Sequence, residues 1–598
     1  MSRWGLARRA FALGWRAAPV AVSVSLVLAL VAGAGPAGLA YLSKLLIDAL
    51  VAPSPAGART VAGLAVATGL GAGALAVAAM LRQLAAGAAQ RGLLLRSQDL
   101  LYSRVNAIGG LGPFEDPGTQ DRLRLADEAA TSAPTDIVDG VIDAVVGVVS
   151  VLGFVAVLLA MWPPLGVALL VAEAPALLTH LWLARRSATA TESVAAPQRR
   201  QFFYRSLLTD LRAAKELRLY GTGGLLHGRA MALLRDTSGV RYAVERRETV
   251  AQAWLAVLAT AVTAGVTVFV VLGVYRGRIS LGDMTLYLAA VAGVQAAVRG
   301  VIFQLGRVSA SLRLFRHFDE LLSGPADLAQ GDAELAPLHG AVRLHDVWFR
   351  YGPDGPWILR GVSLTIEHGR SLGVVGLNGA GKSTLVKLLC RFYDPQRGRI
   401  TWDGVDIRDV TLASLRARIG ATFQDYMTYE LSAADNVGFG DVEHLPDRAR
   451  IEQAAARAEI DGAVRALPRG YDTLLSRSFA DGEQHGVLLS GGQWQRLALA
   501  RSLMRADADL LILDEPSSGL DALAEQRIHR QLALLRQGRT SVLVSHRMAA
   551  LREADEIVVL ADGIVAERGA HASLMAAHGL YAELFTAQAA GFQLEASR

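Results

Sequence analysis

Apolar residues are unevenly spread along this chain. In the first 320 residues they gather into six long stretches, at 19–42, 60–81, 137–162, 165–184, 251–275 and 281–303. A helix rises about 1.5 Å per residue and the hydrocarbon core of a bilayer is about 30 Å thick, so about 20 mostly apolar residues cross it. Each stretch is therefore predicted to be a membrane-spanning helix. The second is rich in Gly and Ala, the composition of closely packed membrane helices. The sixth is the weakest, because Asp283, Gln295 and Arg299 interrupt it. The segments 82–136 and 185–248 carry Leu and Ala at helical spacing with Arg between them. They read as membrane helices prolonged into the aqueous phase, each pair joined by a short turn. The run GPFEDPG (112–118) breaks the first, and AAKELRLYGTGG (213–224) marks a bend in the second. A soluble helical domain is excluded, since six such stretches leave too little polar surface to cover them.

Basic residues set the direction of the spans, because cytoplasmic loops carry the excess of Lys and Arg. The N-terminus has Arg3, Arg8, Arg9 and Arg16, and the two long segments add 6 and 13 basic residues, 23 in all. The short loops on the other side have Lys44, Arg59, Arg276 and Arg278. The N-terminus and both long segments are therefore expected in the cytoplasm, placing the protein as a multi-pass chain in the cytoplasmic (inner) membrane. Residues 1–18 alternate Arg with Trp4, Phe11 and Trp15 and read as an amphipathic helix on the inner surface of the lipid bilayer. A cleaved signal peptide does not fit, because the apolar run continues too far and further spans follow.

Composition agrees. Hydrophobic residues make up 52% of the 598 and charged residues 19%, where a soluble chain carries about 25%. The single cysteine, Cys390, excludes a disulfide framework, a cysteine-rich zinc site and an iron–sulfur cluster bound by the chain. A net charge of +5 spread over this length, with no basic stripe, gives no reason to expect nucleic acid. Hydropathy falls at 323–340, SGPADLAQGDAELAPLHG, a Pro/Gly/Asp-rich linker. From 341 to 598 short β-rich runs alternate with helical patterns, as in an α/β domain.

That domain carries chemistry. Gly376-Leu-Asn378-Gly379-Ala-Gly381-Lys382-Ser383-Thr384 fits G-x-x-x-x-G-K-[ST], after an apolar run that reads as a strand and before one that reads as a helix. Glycines let backbone N–H groups curl around phosphates, and the helix N-terminus adds partial positive charge. Lys382 is placed to reach the β- and γ-phosphates of ATP, and Ser383 to ligate Mg²⁺. In LLILDEP (510–516) a buried strand ends in two acids: Asp514 is positioned to hold Mg²⁺ through water, and Glu515 to polarise the attacking water. Between these motifs Ser490, Gly491 and Gly492 form a second Gly-rich helix start, again an anion site.

Here the sequence resembles a known family. Leu489-Ser490-Gly491-Gly492-Gln493, some twenty residues before Asp514, resembles the signature of ABC ATPases. Further landmarks of that family follow the expected order: Tyr351 in WFRYG resembles the aromatic that stacks on adenine, Gln424 in IGATFQD the glutamine loop that also reaches the metal, Ser518-Gly519-Leu520-Asp521 the loop whose Asp521 touches the nucleotide site, and His546 in VLVSHR the switch histidine. The segment 479–493 carries one residue more than the family's usual spacing. The resemblance implies a multidomain exporter-type half-transporter, an all-α six-helix membrane domain with long cytoplasmic extensions followed by an α/β P-loop ATPase. It also implies that two ATPase domains pair head to tail, each ATP held by the phosphate loop of one and Ser490, Gly491, Gly492 and Gln493 of the other. One chain has one of each, so a second copy of itself, or a second half-transporter, is expected. Glu515, His546 and Gln424 would act at the γ-phosphate. The expected activity is ATP-driven export of an amphipathic or hydrophobic cargo: a peptide, lipid or drug-like compound. A gated channel, a sensor or an importer shares every motif. A peptide exporter with its own leader peptidase does not fit, since Cys390 lies beside the phosphate-loop helix. Within the fourth stretch, Glu173 lies about 12 Å into the core at ~1.5 Å per residue, with His180 two turns on. Together they are candidates to line the cargo cavity, because a carboxyl there is costly and faces the bundle interior.

Overall fold

The computed structural model describes residues 2–51, 57–161, 163–164, 167, 195–476, 486–505, 507–517, 522–536 and 538–596. The fourth apolar stretch with Glu173 and His180, the loop 518–521 with Asp521, and residues 479–485 of the segment 479–493 lie outside these residues. The chain forms two compact units, one of 1–105 with 118–324, the other of 106–117 with 325–598.

The first unit is helical. Helix α1 (Arg3–Ala17) is followed by α2 (Pro19–Val51), α3 (Gly57–Asn106), the four-residue α4 (Gly112–Glu115, of the second unit), α5 (Pro117–Met161), α6 (Ala195–Thr209), α7 (Leu211–Leu219), α8 (Gly223–Tyr275) and α9 (Leu281–Ser323). Among the described residues α2, α3, α5 and α9 are long and apolar enough to cross a membrane, and Thr260–Tyr275 is a shorter apolar helix. At 50 residues α3 is about 75 Å long, more than twice a bilayer core. Its Arg-bearing half therefore extends past the hydrocarbon. The 213–224 run becomes α7 and a turn in which Gly221 has φ +64°, before α8 begins.

Small residues bring the helices together. Ala126, Ala129, Ala130 and Ala133 on α5 are buried with Leu6 and Ala10 of α1 and Phe315 and Phe318 of α9. A Cβ added at Gly140 or Gly147 would lie 2.4 Å from Val308 or Val301 respectively, so α5 and α9 approach with no room for a side chain. Asp283, which weakens the sixth stretch by hydropathy, does not interrupt α9. It closes a capping box with Ser280 at the helix start and pairs with Lys44 Nζ of α2 at 3.3 Å. Other charges are also matched: Arg82 with Asp143 (2.7 Å) and Arg307 with Asp136 (2.6 Å).

The second unit is an α/β domain. Strands β1 (Ala341–Phe349), β2 (Leu359–Glu367), β4 (Arg397–Trp402) and β5 (Val405–Asp406) make an antiparallel sheet in the order β2-β1-β4-β5. Strands β3 (Ser371–Gly376), β6 (Ile419–Thr422), β7 (Leu510–Asp514), β8 (Ser541–Val544), β9 (Glu556–Ala561) and β10 (Ile564–Gly569) make the larger sheet, ordered β10-β9-β3-β8-β7-β6. All neighbours in it are parallel except β10 with β9. Strands β7 and β8 are buried along their whole length, which is why they read as unbroken apolar runs. A helical layer that includes Ala433–Gly438 and Arg448–Arg457 packs on α11 (Gly491–Leu503). Arg391, fully buried at φ +47°, donates to the carbonyls of Ile407 (2.7 Å) and Val410 (3.1 Å) and pairs with Asp394.

Candidate functional site

The order β3-β8-β7-β6 decides where the chemistry sits. These four strands are parallel, so their C-terminal ends lie along one edge of the sheet, the edge at which open α/β sheets bind ligands. The phosphate loop follows β3, His546 follows β8 by two residues, Asp514 ends β7 with Glu515 next after it, and Gln424 follows β6 by two. Segments about 30 to 170 residues apart in sequence thus meet at adjacent strand ends.

The loop after β3 turns through Gly379 (φ +82°) and Gly381 (φ +100°, ψ 8°) into α10 (Lys382–Leu389). A Cβ at Gly379 would meet nothing within 4 Å, so the loop faces open space there. A Cβ at Gly381 would lie 2.6 Å from Leu359 Cδ2. Gly381→Ala is therefore expected to cost about 1–3 kcal/mol through backbone strain alone. It should lower the melting temperature and weaken nucleotide binding together, which thermal denaturation and a fluorescent-ATP titration would read.

Lys382 Nζ donates to the carbonyls of Gly376 (2.8 Å) and Leu377 (3.1 Å), which aims the ammonium across its own loop. Burial lowers its pKa from the ordinary lysine value, and the charges of Glu515 and Asp514 oppose that shift. The Ser383 hydroxyl bonds Asp514. Asp514 is 4% exposed; burial, with the charge of Glu515 beside it, pushes its pKa up to about 6. Its Oδ1 is buried without a hydrogen-bond partner in the protein. A hard divalent cation held between Ser383 and Asp514 would satisfy that oxygen and offset the crowded carboxylates, so the oxygen donors present fit Mg²⁺.

Glu515 adopts φ +53°, a conformation that non-glycine residues rarely take. Its N–H donates to Val544 O (2.9 Å), and its carbonyl accepts from Gln495 Nε2 (3.1 Å). The carboxylate is largely shielded and touches His546 Nδ1 through Oε2. His546 is in turn fixed from α12 (Leu580–Ala596), where Gln588 donates to the carbonyl of His546 (3.1 Å) and accepts from the Met548 N–H (2.7 Å). Tyr351 bonds the Thr384 hydroxyl (3.1 Å) and packs edge-on against Phe349 and Tyr393, leaving the ring partly exposed beside α10. Asn378 and Gln424 are exposed.

The signature residues behave differently. Ser490 caps α11, accepting from Gln493 N–H (3.3 Å), while Gln493 Oε1 accepts from Ser490 N–H (2.8 Å). Ser490 and Gly491 are exposed, and no hydrogen bond among the described residues joins them to Lys382 or Asp514.

Sequence reasoning did not single out Gln495, Gln588, Lys387 or Glu115. The residues 106–117 belong to this unit: Leu111 N–H donates to Phe392 O (3.1 Å), and Arg416 donates to Gly109 O (2.6 Å). On α4, Glu115 takes Lys387 Nζ at 2.8 Å and the Tyr393 hydroxyl. The Lys387 and Tyr393 contacts hold the Glu115 carboxyl below the usual carboxylate range, although burial works the other way. Lys387 Nζ also lies 5.3 Å from the Tyr351 ring centre. A chain of contacts therefore runs from the candidate adenine-stacking ring to this short helix. The one sequence cue was the scarcity of lysine, four in the chain, with Lys387 one turn after Ser383.

Residues 359–518 match the family model described as ABC transporter. An ATP-dependent lipid A-core flippase of Aromatoleum aromaticum is 37% identical over 335 residues, covering 55% of this chain and 53% of the flippase. The mitochondrial iron-sulfur clusters transporter atm1 of Aspergillus fumigatus is 41% identical over 261 residues, 43% of this chain and 34% of that one. The chain spans about half the length of the curated relatives it matches first. Among solved structures, a bacterial Atm1-family ABC exporter with ATP bound superimposes with a TM-score of 0.79 at 24% identity, over 95% of this chain and 98% of the other.

Proposed function

We propose that the chain is an exporter-type ABC transporter with membrane and ATP-binding domains fused, and that it uses ATP to move an amphipathic or hydrophobic cargo across the cytoplasmic membrane. The observation that carries this reading is the split of the site. Lys382, Ser383, Asp514, Glu515 and His546 meet at one sheet edge, while the capped, exposed start of α11 presents a second anion site with no phosphate loop beside it. Two copies placed head to tail complete each other.

In this reading the backbone N–H groups of 378–384 and Lys382 cradle the β- and γ-phosphates, with no reorganisation required of the rigid loop. Tyr351 offers its exposed face to the adenine. Ser383, Asp514 and Gln424 would hold Mg²⁺, which would neutralise charge on the phosphate oxygens. Glu515 orients and polarises the attacking water as it approaches the γ-phosphate. His546, hydrogen-bonded to Glu515, holds that carboxylate in place and faces the same phosphate. Closure of two copies around two ATP molecules does the mechanical work, and hydrolysis makes the cycle one-way. Residues 106–117, attached to the ATP-binding unit through Glu115, Leu111 and Gly109, pass its motion toward the membrane helices α3 and α5.

The cargo class rests on chemistry: the spans offer Ala, Val, Leu and Gly with few charges, and some relatives are named for a lipid. Inside-out vesicles containing the protein should accumulate a fluorescent lipid or amphipathic dye about tenfold or more over vesicles with the Glu515→Gln variant, only with ATP and Mg²⁺ present. Equal accumulation without ATP would overturn transport in favour of a gated channel, and ATP-driven loss of dye preloaded into the same vesicles would mark an importer.

A further inference from the structure

Helix α1 has two faces of opposite character. Leu6, Ala10 and Gly14, four residues apart, are buried, and residues four apart share a helix face. Leu6 and Ala10 pack with Phe315 and Phe318 of α9. Half a turn away run Trp4, Arg8, Ala12 and Arg16, again four apart, with Trp15 beside them. Trp4 is 87% exposed and Trp15 45%. This outer face borders an open hollow of about 960 Å³ whose walls are almost wholly apolar, formed by Trp4, Phe11 and Trp15 with Val141 of α5. Arg8 and Arg16 also line it, and neither has a carboxylate partner among the described residues. Arg9, between the faces, donates from Nη1 to both carboxylate oxygens of Asp319 of α9, each at 2.9 Å.

A hollow lined mostly by apolar side chains, with two guanidinium groups that lack carboxylate partners among the described residues, suits an amphipathic anion. Its position narrows the choice. Only Ala18 separates α1 from the apolar α2, and the charge bias puts this end of the chain on the cytoplasmic side. We propose that the hollow under α1 binds one anionic phospholipid of the cytoplasmic leaflet, its phosphate held by Arg8 and Arg16 and the first segments of its acyl chains lying against Trp4, Phe11 and Trp15. This goes beyond surface anchoring, because it names a site of defined stoichiometry, and it rests on the membrane reading of α2 but not on transport. Through the Arg9–Asp319 pair, occupancy is joined to the last turn of α9, the helix that leads into the linker.

The test uses the full chain purified in mild detergent with equal amounts of phosphatidylglycerol and phosphatidylcholine, and counts retained lipids by native mass spectrometry. About one phosphatidylglycerol per chain is expected. Arg8→Gln/Arg16→Gln should weaken its retention about thirtyfold, roughly fivefold for each basic residue near an anionic headgroup. Arg8→Lys/Arg16→Lys should retain it, which separates loss of charge from loss of fold. ATPase activity in phosphatidylcholine should be the same for all three, so failure of the lipid site and failure of the ATP site are read separately. Equal retention of the two lipids, or unchanged retention in the glutamine variant, would overturn the proposal. So would crosslinking of Trp4→Cys between two copies, which would assign the hollow to a second chain. The sole native thiol, Cys390, is buried and leaves that readout clean.

Discussion

Glu515→Gln is expected to bind ATP as the parent does and to lose turnover by about 10²–10⁴, equivalent to roughly 3–5 kcal/mol of barrier. Glu515 keeps its place for reasons the substitution leaves alone. Its N–H bonds Val544 and its carbonyl accepts from Gln495, both main-chain contacts of Glu515. Glutamine fills the same volume and still hydrogen-bonds His546. What disappears is the negative charge that polarises the water and accepts the proton leaving the attacking oxygen. Phosphate loop, Lys382 and Tyr351 are untouched, so affinity persists and the ATP-loaded state should accumulate. Steady-state phosphate release and trapping of radiolabelled ATP check the two halves separately. Near-normal ATPase in the pure variant would remove Glu515 from its assigned role.

The strained φ of Glu515 sharpens this expectation. A residue held at +53° persists only when its surroundings fix it, and here two strands and a helix do so. Glu515→Ala therefore tests geometry less cleanly than Glu515→Gln, because it also removes the contact to His546.

Much of this site is legible in the sequence because its parts are local. A phosphate loop is nine consecutive residues between a strand and a helix, and LLILDEP and VLVSHR are short strands with their polar residues at the end. Buried parallel strands advertise themselves as apolar runs, and helices that cross a membrane do the same on a longer scale. What stayed hidden depends on partners distant in sequence. Gln588 reaches His546 across 42 positions, and Lys387 reaches Glu115 across 272. Neither glutamine nor lysine there belongs to a pattern, so only the fold reveals the pairing. Asp283 makes the converse point. Averaged hydropathy counts it as an interruption, but at a helix N-terminus with Ser280 before it and Lys44 beside it the same carboxylate stabilises the helix. The signature residues were readable as an anion site but not as a helix cap, a role that Ser490 and Gln493 fill within the single chain.

That double role bears on the second large effect, complementation between two inactive variants. Lys382→Ala removes the ammonium that reaches the phosphates, and Ser490→Arg puts a bulky cation where a phosphate should meet the start of α11. Each should be inactive alone if every ATP lies between the phosphate loop of one copy and the signature of the other. Co-assembled in equal amounts, half the dimers are mixed. In each mixed dimer one interface combines both lesions and is dead; the other joins an intact Lys382 to an intact Ser490. If sites work independently, the mixture should recover on the order of a quarter of the parent ATPase; if both sites must fire, it recovers none. Ser490→Arg also deletes an N-cap, a loss of about 1 kcal/mol, so its melting temperature is measured beside Ser490→Ala, which lacks the cap but not the space. Recovery in the mixture with inactive parents establishes shared sites. Full activity of both single variants would mean that each chain closes its own site, and the head-to-tail reading would fall with it.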